Sequence, residues 1–302
     1  MVVARRNGTG AGPVGTRPVG TGDGRYGDGR RQDGQDGQDG GSGMDLQLVG
    51  RVVLVTGGSD GLGAALVRTL AAEGARVALC GRDISRLHAV AEQAAAGPGE
   101  TLPVVADVRD PAALARFVEA AVERWGAVHA LVNNAGASSA GPFETHTDEI
   151  WQADLDLKLH TAVRAVRLVL PHLRRAGGGA IVNSLAIGAR APGAGSTPSS
   201  VSRAAGLALT KALSKELGPV GVRVNAVLVG LVRSGQWERT AARENVEVEE
   251  LYERMGRNSG IPLGRVGRAE DFADLVAFLI SDRAAYLTGT AINLDGGLSP
   301  VA

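Results

Sequence analysis

The sequence predicts an α/β fold with a doubly wound, mostly parallel sheet of about seven strands and helices on both faces. Short runs rich in Val, Ile and Leu recur from residue 44 onward, with little polar alternation, which suits strands buried on both faces. Between them lie amphipathic stretches of roughly ten residues or more, long enough for crossover helices between parallel strands. Glycines and polar side chains collect just after the apolar runs, at the C-terminal strand ends where open α/β sheets take their ligands.

Taken in order, Val52–Val55 reads as the first strand. It ends in Thr56-Gly57-Gly58-Ser59-Asp60-Gly61-Leu62-Gly63, and Leu62, Leu66, Val67 and Leu70 then recur at helical spacing up to Gly74, a C-cap glycine. Val77–Cys80 is a second strand, followed by a helix over Ile84–Ala96 that Gly97-Pro98 stops. Leu102–Val105 is a third, ending at Asp107, and Pro111–Glu123 is a helix with proline in its first turn. Ala130–Val132 is a fourth strand, and Asn133-Asn134-Ala135-Gly136 follows it. A long helix is expected from about Glu149 to Arg175, then the strand Ala180–Val182 and a helix over about Ser200–Leu217. Val222–Val227, a polar mixed segment over 234–260, a helix over Ala269–Ile280 and a last short strand, Ala291–Leu294, complete the pattern. One domain, 44–302, absorbs all of it.

Residues 1–43 differ in kind. They are glycine-rich, carry the repeat Gln32-Asp33-Gly34, Gln35-Asp36-Gly37, Gln38-Asp39-Gly40, and offer almost nothing to bury, so disorder is expected. No apolar segment follows Arg5-Arg6, which argues against a secretory signal. Met44 immediately precedes the first apolar segment and is a candidate start, with 1–43 lying upstream of it.

Of the 302 residues 44% are hydrophobic and only 3% aromatic, so the core is built from Ala, Val and Leu. The formal net charge is zero, which removes the global field that would recruit nucleic acid or an anionic membrane. Cys80 is the only cysteine, so no internal disulfide forms, and no apolar stretch approaches a bilayer-spanning length. A cytoplasmic protein acting on a small molecule, with no metal, is expected.

The strand–glycine turn–helix at 52–70 points backbone N–H groups and a helix N-terminus at a phosphate. Gly57 permits the tight turn, Gly61 the close approach of a diphosphate, and Gly63 close packing of helix on strand. The spacing is G-x3-G-x-G rather than G-x-G-x-x-G, and a flexible turn of no function is the competing reading.

Together these segments resemble the short-chain dehydrogenase/reductase family, a single-domain Rossmann fold. Thr56-Gly57, Gly61 and Gly63 match its TGxxxGxG, Asn133–Gly136 its NNAG, and Arg223-Val224-Asn225-Ala226-Val227 its sixth strand. Leu287-Thr288-Gly289 and Asp295-Gly296-Gly297 are similar to its C-terminal signature. The resemblance implies a cofactor site built from Thr56, Gly57, Ser59, Asp60, Gly61, Leu62, Gly63, Arg82, Asp107, Val108, Asn133, Ala135, Gly136, Arg203, Gly230 and Ser234. Within it Asp107 would bind the adenine, Asn133 and Ala135 would line the nicotinamide ribose pocket, and Ser234 would supply a hydroxyl to the nicotinamide amide. Asp107 and Asn133 as plain turn caps is the alternative. An acidic residue at the end of the second strand would bind the ribose 2′-hydroxyl of NAD. This chain has Gly81 and then Arg82, whose guanidinium suits a phosphate, so NADP(H) is favoured over NAD(H). Asp60 and Asp83 weigh against that, and Arg82 as an ordinary surface residue remains open.

The family resemblance implies a catalytic Tyr, a Lys four residues on, a Ser about thirteen residues earlier and an Asn on the long helix. Register set by Ile181-Val182-Asn183 and by Ser202-Arg203-Ala204-Ala205 puts Ser199, Arg203 and Ala186 at the first three positions, and counting from Trp151 puts Lys158 at the fourth. A serine hydroxyl is far too weak an acid to replace a phenol, and Arg203 cannot shuttle a proton. Lys158 becomes a catalytic acid if burial and Arg203 lower its pKa; a solvated lysine is the alternative. Lys158, Ser199 and Arg203 are therefore the candidate catalytic residues, with Tyr252, arriving on a mobile lid over 234–260, a second candidate donor. An NAD(P)(H)-dependent oxidoreductase on a carbonyl/alcohol pair with a non-standard proton donor is the leading reading. A non-redox isomerase, dehydratase or cyclase, and a catalytically inactive cofactor-binding protein, are the alternatives. The resemblance also implies a homodimer or homotetramer.

Overall fold

The computed structural model describes residues 44–302, and the expectations for 1–43 lie outside the described residues. Seven parallel strands form one sheet in the order β3-β2-β1-β4-β5-β6-β7. In chain order the elements are β1 (Val52–Thr56), α1 (Gly61–Ala72), β2 (Arg76–Gly81), α2 (Ile84–Ala94), β3 (Glu100–Val105), α3 (Pro111–Trp125) and β4 (Ala130–Asn133). Then come α4 (Asp148–Leu155), α5 (Thr161–Arg175), β5 (Gly179–Ala186), α6 (Ser199–Leu217) and β6 (Val222–Val229). The last are α7 (Gly235–Glu244), α8 (Val248–Asn258), α9 (Ala269–Ile280) and β7 (Ala291–Leu294).

The two-residue period of a strand divides β1 between two cores. Val53 and Val55 pack with Leu66, Val67, Leu70, Phe272 and Val276, beneath α1 and α9. Val52 and Leu54 pack with Leu114, Phe117, Val169 and Leu173, beneath α3 and α5. Local signals set the helix ends. Asp83 and Asp110 accept from the backbone N–H groups of Arg86 and Ala112 at the starts of α2 and α3, and Gly126, at φ +75°, closes α3 in the left-handed conformation.

The structure departs from the sequence expectation in three places. The helix expected over 149–175 is two helices, α4 and α5, joined by a π-helical turn at Asp156–His160. The strand expected at 180–182 runs on to Ala186, because Asn183, though polar, is buried and fully bonded inside the sheet. The mixed segment 234–260 contains α7 and α8, whose Trp237, Val248, Tyr252 and Met255 form a small core with Ile261 and Val266.

Polar side chains carry the sheet's position to α6. Asn133 Nδ2, at the end of β4, donates to Asn183 Oδ1 at 2.9 Å. Asn183 Nδ2 donates to Thr210 Oγ1 on α6 at 2.9 Å, and Thr210 donates to the Gly206 carbonyl at 2.8 Å. Replacing Asn183 strands two buried partners, so Asn183→Ala is expected to cost about 2–4 kcal/mol, measured by urea unfolding.

Candidate active site

The strand order reverses between β1 and β4, which opens a crevice at their C-terminal ends. The Thr56 hydroxyl bridges the two strands there. It donates to the Val132 carbonyl (3.3 Å) and accepts from the backbone N–H groups of Asn134 (3.0 Å) and Ala135 (3.1 Å). Asn134 returns the contact through Nδ2, which donates to the Thr56 and Gly57 carbonyls at 3.1 and 3.0 Å. The glycine turn passes so close to this loop that side chains have no room. A Cβ at Gly57, whose φ is +66°, would lie 2.8 Å from the Ala135 Cα, and one at Gly63 would run into the Gly57 carbonyl oxygen. Asp60, the N-cap of α1, makes no side-chain cap bond, and Leu62 follows in the first turn.

Two observations fit a dinucleotide at this crevice. The turn is a cradle in which added side-chain atoms collide, and Asn133 Oδ1 is buried beside it without a hydrogen-bond partner. An unpaired buried acceptor is costly, and a ribose hydroxyl has the donor it lacks. Ala135 and Gly136 line the same loop. At the opposite end, Ser59 lies against Gly81, where a Cβ would come within 2.7 Å of Ser59 Oγ, and Arg82 is exposed just beyond. Asp107 is committed to Arg109: its Oδ2 accepts from Nη2 at 2.6 Å, and this pairing holds its carboxyl down at about pKa 2. Val108 is buried, with its carbonyl 3.0 Å from Thr161 Oγ1. Gly230 follows β6 and packs against Asp295, and Ser234 is the N-cap of α7, 3.3 Å from where a Gly61 side chain would start.

The candidate catalytic residues converge beside the crevice. Ser199 opens α6 and Arg203 lies one turn further along, while Lys158 projects from the π-helical turn between α4 and α5. Lys158 Nζ donates to Ser199 Oγ at 2.8 Å, and the backbone N–H of Ser139 donates to the same oxygen at 2.9 Å. Lys158 also pairs with Asp154, one turn earlier, whose Oδ2 accepts from the Ser202 hydroxyl at 2.5 Å. The Asp154 side chain is 0% exposed and that of Lys158 6%. Burial, and then the nearby Arg203 guanidinium, lower the Lys158 ammonium to about 8 against the opposing pull of Asp154. Burial works against the Asp154 carboxylate, but its bonds from Lys158 and Ser202 prevail and hold its pKa below the ordinary value. Arg203 makes one long contact, donating to the Ser199 carbonyl at 3.4 Å. Ala186 ends β5 and brings no hydroxyl.

Sequence reasoning missed Asp154, Ser202, Asn134 and the Ser139 N–H. Asp154 and Lys158 stand at i and i+4, a spacing that on a helix reads as an ordinary surface ion pair. Tyr252, the second candidate donor, is bonded elsewhere: its hydroxyl accepts from the Ser234 backbone N–H at 3.3 Å, its ring is buried, and Arg233 stacks 4.7 Å above it.

Residues 57–299 match the family described as enoyl-(acyl carrier protein) reductase. The chain is 37% identical to the L-rhamnose 1-dehydrogenase (NAD(P)(+)) of Azotobacter vinelandii over 84% of its own length and 98% of that protein. The chain belongs to the short-chain dehydrogenase/reductase family. Among solved structures of this family, L-sorbose reductase from Gluconobacter frateurii, complexed with NADPH and L-sorbose, is 31% identical. It superposes with a TM-score of 0.81 over 86% of this chain and 100% of that one. An NADPH-bound short-chain oxidoreductase from Pseudomonas aeruginosa PAO1, containing an atypical catalytic center, is 38% identical. Its TM-score is 0.79 over 83% of this chain and 98% of that one. Among the described residues, no helix is long and apolar enough to cross a membrane.

Removing one partner of a buried ion pair leaves the other uncompensated. Asp154→Ala is expected to destabilise the fold by about 3–5 kcal/mol, checked by denaturant unfolding at pH 7, with Asp154→Asn losing less because it keeps a polar partner for Ser202.

Proposed function

We propose that this family member is an NADP(H)-dependent oxidoreductase acting on a carbonyl/alcohol pair, with Lys158 in place of a phenol as proton donor. The observation that carries the reading is the buried Lys158 ammonium, 2.8 Å from Ser199 Oγ and lowered to about 8. A general acid works best with a pKa near the operating pH, and this group lies there. The cofactor, when bound, supplies or removes the hydride.

The chain's own groups move the proton. Ser199 Oγ accepts from both Lys158 and the Ser139 N–H, so its lone pairs are occupied and its own hydrogen is free to bond the substrate oxygen. As negative charge develops on that oxygen, Ser199 gives up its hydrogen and takes one from Lys158 in the same movement. A serine alone is too weak an acid; a serine reprotonated by an ammonium is not. Asp154 and Ser202 orient Lys158, and Arg203 adds a fixed positive charge that stabilises the developing alkoxide. Asn133, Ala135 and the glycine turn hold the cofactor, Arg82 favours its 2′-phosphate form, and Asp107 borders the adenine pocket. The substrate is a small molecule entering beneath α7 and α8, and the outer faces of α5 and α6 pair two or four copies of the chain.

One observation favours a second reading. Arg203 meets no carboxylate among the described salt bridges, and with Lys158 it leaves a net positive charge beside Asp154. A non-redox isomerase, dehydratase or cyclase would use that charge to hold an anionic intermediate. Cofactor oxidation or reduction stoichiometric with product separates the two.

Lys158→Met is expected to lower kcat for carbonyl reduction at least a hundredfold while NADPH still binds, measured by stopped-flow and by quenching of cofactor fluorescence. The acid form is needed for reduction, so its rate falls as pH rises through about 8; alcohol oxidation needs the base form and rises across the same range. An unchanged rate in Lys158→Met would instead mean another donor, and no turnover in the unaltered protein would leave a cofactor-binding protein.

A further inference from the structure

We propose that Arg239, on α7, joins Arg82 and Arg86 in holding the adenosine 2′-phosphate of NADP(H), so that the helix above the cofactor reads which dinucleotide is bound. This rests on the NADP(H) reading above and assigns to it a residue outside the glycine turn and β2.

The argument begins at Asp60. Its Oδ2 accepts from Arg239 Nη1 at 3.0 Å and lies 3.5 Å from Arg86 Nη1, so one carboxylate draws together guanidinium groups from α7 and α2. Neighbouring Ser59 packs on Gly81, the last residue of β2, which places this pairing at the strand end where the ribose 2′ position belongs. Arg82 follows in the chain. Asp83 is occupied as the N-cap of α2, accepting from the Arg86 N–H at 3.2 Å, with Arg86 Nε 3.6 Å away. The corner therefore holds three cations from three elements against Asp60 and Asp83.

These cations are gathered but not consumed. The Arg86 and Arg239 side chains are 57% and 60% exposed, and Asp60 is 39% exposed. Exposed pairs of this kind add little stability, and each guanidinium keeps most of its donors free. A phosphate monoester offers more charge and three acceptor oxygens, so it outcompetes a single carboxylate for both arginines. Asp60, which in sequence weighs against NADP(H), thus occupies these arginines and competes with the phosphate for them.

The contact also ties α7 to the cofactor. Gly235, the first residue of α7, lies so close to Asp60 that a Cβ would run into its carboxylate, and Ser234 packs on Gly61. On its other side the segment is anchored to α8, through the two bonds from Arg233 to Glu249 at 2.7 and 2.8 Å and the Arg233–Tyr252 stack. A phosphate held by Arg239 fastens α7 and α8 over the dinucleotide. NADH, without that phosphate, leaves Arg239 on Asp60.

The test is titration of the full chain with NADPH, NADH, 2′,5′-ADP and 5′-ADP, in the unaltered protein and in Arg239→Met, Asp60→Asn and Arg243→Met. Arg243, on the same helix, donates to Thr240 and makes no bond to Asp60. Arg239→Met is expected to weaken NADPH and 2′,5′-ADP about tenfold and to leave NADH and 5′-ADP within twofold. Asp60→Asn is expected to tighten the 2′-phosphorylated pair several-fold, and Arg243→Met to change nothing. Equal losses for all four ligands in Arg239→Met, or none, overturn the proposal: Arg239 would then only close α7 or sit at the surface. If the unaltered protein binds NADH as tightly as NADPH, the NADP(H) reading itself fails and the proposal falls with it.

Discussion

The seam between β1 and β4 is the constraint on which the rest of the structure depends. There the strand order reverses, and two loops must approach within van der Waals contact without a side chain between them. Thr56 makes this possible, because one hydroxyl serves the ends of both strands and Asn134 answers it from the other side. The register then passes outward through side chains alone, from Asn133 to Asn183 to Thr210, and so to α6. Ser199 and Arg203 stand on that helix. The glycine turn and the candidate catalytic residues on α6 are thus two ends of one hydrogen-bonded chain, which fixes the distance between that turn and Ser199.

Lys158 itself is held by a different device. A π-helical turn inserts an extra residue between α4 and α5, at the price of weaker helix bonding, and such turns are frequent at functional sites. The Thr161 hydroxyl lies 2.9 Å from the Asp156 carbonyl and 3.0 Å from that of Val108, which supports the turn where helix bonding is loosened. Asp154 precedes the turn and Lys158 lies within it, so their ion pair spans the irregularity. Burying two charges is expensive, and the geometry offsets this only because the remaining oxygen of Asp154 is bonded to Ser202 and the ammonium to Ser199.

Most of this fold is legible in the sequence, since seven apolar runs and the helical periods between them report burial directly. The seam is legible too: Thr56–Gly63 and Asn133–Gly136 are local motifs whose residues touch one another. The catalytic surroundings are legible only in part. Lys158, Ser199 and Arg203 follow from register, but Asp154 looks like a surface residue until α6 is seen to cover it, and the Ser139 N–H leaves no mark on a sequence at all. The pair α7 and α8 escapes for another reason. On α8, Val248, Leu251, Tyr252 and Met255 stand at i, i+3, i+4 and i+7, and Trp237 and Ala241 are the apolar contacts of α7, but these short stripes lie among so many charged residues that the whole segment reads as a polar loop.

The arrangement explains why position 203 suits arginine rather than lysine. Two desolvated ammonium groups side by side would titrate as a coupled pair, and the proton lost near neutrality would belong to neither. Burial lowers the pKa of Arg203 as well, yet a guanidinium starts so high that it keeps its charge. Its field therefore acts in one direction only, pushing Lys158 toward the range where it can give up a proton, while Asp154 stops that descent at about 8. Of the permanent cation, the buried carboxylate and the amine, only the amine is brought toward neutral pH.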